Sequence, residues 1–313
     1  MRQKIEKPLL LSPFDNPEET LPLIEAGADE LYGGVLPDDW VSGRISPNQR
    51  TFASAQFSSE KEFAKAVALA ASRNVPVYLT MNAPQNPPEI QKKLLGLAKR
   101  AAEYGVKGVI AGDPGLIVNI REAKIPLEIT LSTMAGTLNA SAFDFFAGLG
   151  ISRAVLPRHL TLGETEEITA ALPGLTFEAF VLVGKCPNEE AHCFFQHTAP
   201  DKRWPCEIEQ RVSAAKDHPL RRRFERWSSC DRRFSCGLCA IGPLIERGVA
   251  VQKLVGRGGP TSGKVANVKM VRRFIDNPAL GRVEALEAYA SRFGRECDPL
   301  VCYYPELHPY FGG

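Results

Sequence analysis

Asn16-Pro-Glu-Glu-Thr-Leu-Pro-Leu-Ile-Glu-Ala-Gly-Ala-Asp-Glu-Leu-Tyr-Gly33 contains one full repeat of the pattern that decides the fold. Asn16 is a helix-capping residue, Pro17 fits a first helical turn, and Glu18 and Glu19 favour the positive end of the helix dipole. Gly27 ends that helix, and Asp29 to Gly33 reads as a strand. Just before it, Pro8-Leu-Leu-Leu-Ser12 is a short apolar run of the strand type. The unit is strand, helix, strand.

The rhythm continues along the chain. Strands are expected at 75–82, 108–113, 127–132, 154–158, 177–183 and 249–255, in addition to the first two. Helices are expected at 59–73, 88–104, 139–149, 162–172, 242–247 and 262–275, with Phe63, Ala66, Val67 and Ala70 marking the buried stripe of one of them. Thr161 or Thr165 would cap the helix that begins at Leu162. Eight strands alternating with helices imply an α/β fold, a parallel sheet closed as a (β/α)8 TIM-like barrel. An open doubly wound sheet is the alternative, but no G-x-G-x-x-G follows the first strand. The expected organisation is a barrel over 1–280, interrupted after the seventh strand by a cysteine-rich insertion at 184–240. A short C-terminal helix and tail follow at 281–313, packing across the barrel or mediating assembly.

The 313 residues are 44% hydrophobic and 24% charged, with a formal net charge of +2. Such near-neutrality argues against bulk nucleic-acid binding, though a local basic patch remains compatible with it. No apolar run approaches the ~20 residues of a membrane span, and the first residues carry no signal-peptide core. A cytoplasmic location is expected, where clustered cysteines mean metal or catalysis rather than disulfides.

Six of the eight cysteines lie between Cys186 and Cys239: Cys186, Cys193, Cys206, Cys230, Cys236 and Cys239. The gaps between them hold six, twelve, twenty-three, five and two residues. Only Cys236-Gly-Leu-Cys239 forms the paired knuckle typical of structural zinc, so a [4Fe-4S] cluster is the preferred ligand. Zinc is the alternative, with His192 and His197 able to complete a mixed site. In a barrel this loop leaves the C-terminal end of a strand, on the face that carries chemistry.

Phe177-Glu-Ala-Phe-Val-Leu-Val-Gly-Lys-Cys186, followed after six residues by Cys193, resembles the signature of the peptidase U32 family. The resemblance extends to Ala26-Gly-Ala-Asp-Glu-Leu-Tyr-Gly33, to Ala154-Val-Leu-Pro-Arg158, and to Lys253-Leu-Val-Gly-Arg257, similar to the family's Lys-Ile-Glu-Gly-Arg. It implies a barrel holding a four-cysteine [4Fe-4S] cluster and supporting oxygen-independent hydroxylation of quinone precursors or RNA bases, with prephenate as oxygen donor. On this resemblance Cys186, Cys193 and Cys206 are the first three ligands and Cys230 the fourth, with Cys239 and Cys236 in reserve. The sequence departs from the family where the usual His-Gly before the first cysteine is Leu182-Val183, and where Val255 replaces the family's Glu. These departures imply a different substrate or a non-catalytic subunit.

Asn82, Asp113, Ser132, Arg158, Glu178, Lys253 and Arg257 fall at or near strand ends. Arg158, Lys253 and Arg257, with Asn82 and Glu178, form the expected substrate site, since guanidinium groups capture carboxylates or phosphates in bidentate fashion. An anionic donor such as prephenate fits such a set. Gly258-Gly-Pro-Thr-Ser-Gly-Lys264 almost spells a P-loop, but Val265 stands where magnesium coordination needs Ser or Thr. NTPase chemistry is therefore not expected, while an anion site at that helix start is. The run from Arg221 to Arg233, with Phe224 and Trp227 interleaved, is a candidate RNA contact or the seat of a partner subunit. Hydrolysis, as the family name suggests, is the competing enzyme class, yet neither H-E-x-x-H nor G-x-S-x-G occurs.

Overall fold

Eight parallel strands close into a barrel in chain order. The structure is a computed structural model that describes residues 5–36, 48, 53–186, 190–191, 211–219, 221–229 and 232–308. The strands are β1 (Leu9–Pro13), β2 (Glu30–Gly33), β3 (Val77–Met81), β4 (Gly108–Ala111), β5 (Glu128–Leu131), β6 (Arg153–Val155), β7 (Thr176–Leu182) and β8 (Val249–Leu254). Closure comes from β1 lying parallel to β8, with Leu9 opposite Val251 and Leu11 opposite Lys253.

The intervening helices are α1 (Thr20–Glu25), α2 (Glu60–Ala71), α3 (Pro88–Glu103), α4 (Pro114–Glu122), α5 (Ala140–Gly148) and α6 (Leu162–Ala171). After β7 come α7 (Arg221–Ser229), α8 (Ile241–Glu246), α9 (Thr261–Asp276) and α10 (Arg282–Phe293). Capping follows the sequence signals. Ser59 accepts from the Glu62 amide, and Thr161 forms a reciprocal capping box with Glu164 ahead of α6. Asn16 also caps, but the segment it opens begins as a 3-10 turn before α1.

Two helices were absent from the sequence expectation. One is α4, whose Asp113-Pro114-Gly115 start reads as a turn; Asp113 instead caps it, accepting from the Gly115 and Leu116 amides. The other is α7, inside the cysteine-rich insertion. The sixth strand is shorter than 154–158, because it gives way at Leu156-Pro157 to a connection leading into α6.

The main apolar core lies between the barrel and its helices. In α2 the buried stripe is Phe63, Ala66, Val67 and Ala70, as the 3.6-residue period requires. Phe14, Phe57 and Phe63 pack edge to face, the first two with centroids 4.9 Å apart. A second, smaller cluster of Leu11, Tyr32, Tyr78, Ile110 and Val251 occupies the barrel interior. Among the described residues no helix is long and apolar enough to cross a membrane.

Inside the barrel the apolar filling is joined by charges. Arg153 donates to Glu30 at 3.1 Å through Nη1 and pairs with Glu178 Oε1 at 2.5 Å; Lys253 Nζ donates to Glu178 Oε2 at 2.7 Å. Tyr78 Oη accepts from Arg153 at 3.1 Å, and the Lys253 ammonium lies 4.5 Å from the Tyr32 ring centroid. All four ionic side chains are buried. Burial raises the Glu178 carboxyl, but Arg153 and Lys253 outweigh it and hold it below its ordinary range. Burial acts first on Lys253 and wins, lowering its ammonium despite Glu178.

Removing one partner leaves a buried charge uncompensated, so Arg153→Ala is expected to cost roughly 3–5 kcal/mol in denaturant unfolding. The paired neutral replacement Glu178→Gln with Lys253→Met should cost far less, because charge and partner leave together. The same comparison tests pH dependence. Glu178 binds its proton more weakly folded than unfolded, so its stabilisation is present above the unfolded value of 4.5 and is lost as pH falls through the folded pKa. Urea midpoints measured downward from about pH 6 should therefore fall more steeply for the native chain than for the double replacement.

Candidate active site at the barrel mouth

The C-terminal ends of the strands converge on one face, and there the polar groups are arranged in three neighbouring sets. The first surrounds Arg257, just beyond β8. Its Nη1 donates to Thr80 Oγ1 at 2.8 Å and its Nη2 to the Asn48 carbonyl at 2.7 Å. Asn48 and Gln56 exchange two side-chain amide bonds of 2.7 Å. Gly34 makes this approach feasible, since a Cβ there would stand 2.5 Å from Arg257 Nη1 and 2.8 Å from both Asn48 Nδ2 and Gln56 Oε1. Asn82 directly follows β3, two residues beyond Thr80, its amide nitrogen 3.5 Å from Ser132 Oγ and its Oδ1 buried without a hydrogen-bond partner.

The second set joins the loop after β1 to the start of α9. The Lys264 ammonium is buried between Asp15 and Glu19, donating to Glu19 Oε2 at 2.7 Å and also pairing with Asp15. The Gly258 amide donates to Asp15 Oδ2 at 2.5 Å and Thr261 Oγ1 to Glu19 Oε1 at 3.0 Å. The anion site expected at this helix start is thereby corrected. Carboxylates already take the lysine, the glycine amide and the threonine, and Glu18 and Glu62 line the adjoining cleft of ≈ 370 Å³. Burial, outweighing Lys264, raises the Asp15 carboxyl.

The third set carries the thiols. The chain beyond β7 runs to Cys186, and the Lys185 amide donates to Ser235 Oγ at 2.9 Å. Cys236 bridges Leu182 on one side and Cys302 of the tail on the other. The Tyr303 amide donates to the Cys236 carbonyl at 2.9 Å and Tyr303 Oη to the Val183 carbonyl at 2.8 Å. The tail thus packs over the root of the insertion, and Tyr289 Oη, in α10, adds a 2.7 Å bond to the Phe234 carbonyl. Cys186, Cys236, Cys239, Cys297 and Cys302 are all free thiols. Burial pushes Cys239 up to about 11 and Cys236 further still, although the Leu238 amide donates to Cys236 Sγ at 3.4 Å.

Of the expected cluster ligands, Cys186 stands at the mouth, while Cys193, Cys206 and Cys230 lie outside the described residues, as do His192 and His197. Of the reserves, Cys236 is brought beside the end of β7, and Cys239 follows it in the 3-10 turn Leu238–Ala240. Among the described residues no three His, Cys, Asp or Glu side chains already surround a common metal position. The donor set that is described is thiol-rich, and in that chemistry it suits a soft metal or an iron-sulfur group.

The expected substrate residues divide. Arg257 and Asn82 are at the mouth. Arg158 is there too, its guanidinium stacked 3.6 Å from the Phe180 centroid and ion-paired with Glu190, whose Oε2 also accepts from the Arg158 amide at 2.9 Å. Glu178 and Lys253 lie deeper and spend their charges on each other and on Arg153. Sequence reasoning did not find Thr80, Asn48, Gln56 and Gly34 around Arg257, because their proximity arises only on barrel closure. Gly34, directly after the quoted Tyr-Gly33, was the one available signal.

A family model, Peptidase family U32, matches residues 15–300. The chain is 29% identical over 188 residues to tRNA hydroxylation protein P of Escherichia coli strain K12, covering 60% of this chain and 39% of that protein. It is 33% identical over 185 residues to the protein of that name from Helicobacter pylori strain ATCC 700392 / 26695, covering 59% and 41%. With tRNA hydroxylation protein P1 of Bacillus subtilis strain 168 it shares 25% identity over 289 residues, 87% of this chain and 64% of that one. The chain therefore spans less than two thirds of the length of these relatives. Among solved structures, the U32 peptidase Mk0906 aligns with a TM-score of 0.53 at 15% identity, over 83% of this chain and 97% of that one, a likeness of fold. With the family model matched over most of its length, the chain belongs to peptidase family U32.

Proposed function

We propose that this chain supports oxygen-independent hydroxylation of a tRNA base, using an iron-sulfur cluster seated at the mouth of its barrel. The observation that carries this reading is the gathering of thiols at the end of β7, on the face that also presents Arg158 and Arg257, in a chain related to tRNA hydroxylation proteins. Cys186, Cys193 and Cys206 would hold the cluster, with Cys230 or Cys239 as fourth ligand. When bound, the cluster supplies one-electron chemistry.

The chain's own residues do the positioning. Arg257, fixed by Thr80 and the Asn48 carbonyl, presents a charged fork at the mouth suited to a carboxylate of an anionic donor such as prephenate. Arg158, held flat on Phe180, places a second guanidinium on the same face. Asn82, whose carbonyl oxygen is buried and unpartnered, offers an acceptor to a substrate hydroxyl or amide. The basic run that begins in α7 supplies the RNA-contacting surface, where exposed arginines meet phosphates and Trp227 stacks a base.

Two measurements test this. Protein prepared without oxygen should contain iron and sulfide in cluster stoichiometry and absorb visible light, and Cys186→Ala should lose both; zinc in place of iron, or a colourless preparation, would exclude the cluster. In a deletion strain, the native chain should restore a hydroxylated tRNA nucleoside detectable by mass spectrometry. Gly34→Ala separates the two halves of the proposal. Its added carbon must displace the Arg257 fork, so hydroxylation is expected to fall at least ~10-fold, the order lost with one charged hydrogen bond, while iron content stays unchanged. Full activity in Gly34→Ala would remove Arg257 from the donor site.

A further inference from the structure

A cleft at the barrel mouth, between the loop after β1, the segment leading into α2 and the start of α9, has no part in the hydroxylation reading. It encloses ≈ 370 Å³, and Asp15, Glu18 and Glu62 line it. Their depth is graded: Asp15 is 5% exposed, Glu62 half-buried and Glu18 exposed. Positive charge does not match them. The Lys264 ammonium is shared by Asp15 and Glu19. The exposed Lys65 stands 3.9 Å from Glu62, a contact that solvent screens.

The unmet acceptor is at the floor. Glu19 is fully engaged, Oε1 accepting from Lys264 and Thr261 and Oε2 from Lys264 and the Asp15 amide. Asp15 Oδ2 accepts from Lys264 and from the Gly258 amide. Asp15 Oδ1 is buried with no hydrogen-bond partner among the described residues. A buried carboxylate oxygen without a donor is rare. Asp15 lines the cleft and its other oxygen is committed, so Oδ1 is the one it presents to an occupant. Burial, outweighing Lys264, raises the Asp15 carboxyl, as expected of a carboxylate short of positive charge.

The chemistry of the occupant follows from the same groups. A guanidinium is best held by two parallel acceptors, and Asp15 offers one. Among the described residues no three His, Cys, Asp or Glu side chains share a metal position. A primary ammonium needs one strong acceptor, and its remaining donors go to water or to hydroxyls such as Ser54 and Ser58 in the same lining. Phe57 and Pro17, both buried in the wall, offer apolar surface to methylene groups. Glu18 and Glu62 form a second negative site nearer solvent. We propose that this cleft binds an aliphatic diamine, one ammonium donating to Asp15 Oδ1 and the other lying against Glu18 and Glu62. The inference does not rest on the hydroxylation reading and holds for the chain with or without a cluster.

The test is calorimetric titration of the full chain, prepared without oxygen, with putrescine and no tRNA present. Putrescine should saturate one site per chain with a Kd of about 1 mM or below. N-Acetylputrescine, which keeps one ammonium, should bind about 2- to 5-fold more weakly, the scale of an exposed charge pair. The N-permethylated diamine keeps both charges but loses the N–H donors, and should bind at least ~10-fold more weakly, the scale of a charged hydrogen bond. Glu18→Gln combined with Glu62→Gln should weaken putrescine about 2- to 5-fold and bring it level with N-acetylputrescine. Asp15→Asn should weaken it at least ~10-fold. Should that buried replacement fail to fold, the permethylated diamine makes the same test on the native chain. Four results would overturn the proposal: no saturable binding up to ~10 mM putrescine, equal binding of the permethylated diamine, an affinity unchanged in the Glu18 and Glu62 double replacement, or displacement of putrescine by magnesium at equal concentration.

Discussion

Glu30, Arg153, Glu178 and Lys253 come from four different strands and meet inside a closed barrel, where water is excluded. Each of these charges is too costly to bury alone, so the strands that bring them must arrive in one register. The constraint is strongest between β7 and β8. Glu178 lies opposite Val251 and Phe180 opposite Lys253, with register shifts at Phe177/Glu178 and Phe180/Leu182. Those irregularities let the Glu178 carboxylate reach the Lys253 ammonium across the pair. The same two strands lead out of the barrel to Cys186 and to Arg257. The internal ion network therefore fixes the directions in which the cysteine loop and the Arg257 fork leave the mouth.

Electrostatics at the mouth are partitioned by the same logic. Between the β1 loop and α9, Lys264 is enclosed by Asp15 and Glu19, which makes that cleft acidic. Arg257 and Arg158 stand on other sectors of the rim, each held in place by bonds to neighbours. On the proposed function, an anionic donor approaching this face would meet carboxylates on one side and guanidinium groups on another. Its orientation would be set by that asymmetry before any specific hydrogen bond forms. The near-P-loop of α9 cannot serve as the anion seat, because its lysine is already a structural cation.

The barrel was legible because the strand-helix units carry their signals locally: Asn16 and Thr161 as caps, Gly27 as a stop, short apolar runs for the strands. Where a local signal is ambiguous the reading failed, as at Asp113-Pro-Gly, which serves equally as a turn or as the first residues of α4. The site was less legible, for a different reason. Lys253 and Glu178 look like mouth residues from their positions in the sequence, but their pairing depends on how β7 and β8 slide past each other. Lys264 looks like a phosphate ligand until Asp15 and Glu19, about 245 residues earlier, close on it. Long-range pairing of charges leaves no periodic trace. The density of cysteines was visible, but not the order in which the fold would bring them together.

That order gives the tail its importance. Cys236 is flanked by Leu182 of β7 and by Cys302, so the tail continues the barrel's edge through the insertion instead of hanging from it. Tyr303 and Lys185 close the arrangement by bonding to Val183 and to the Cys302 carbonyl. Glu306 extends it to the far side of the mouth, accepting from the Leu162 amide at 2.8 Å at the start of α6. The chain segment between Val183 and Cys186 is thus held from two directions, by β7 behind it and by the tail above it. A loop rich in easily oxidised cysteines is well served by such a rigid root, since thiolates that wander exchange with one another or with solvent oxidants. In this protein the rigidity is supplied by about ten residues of tail that would contribute little to the barrel by themselves, which places the turn at Pro305–Leu307 beside the barrel mouth.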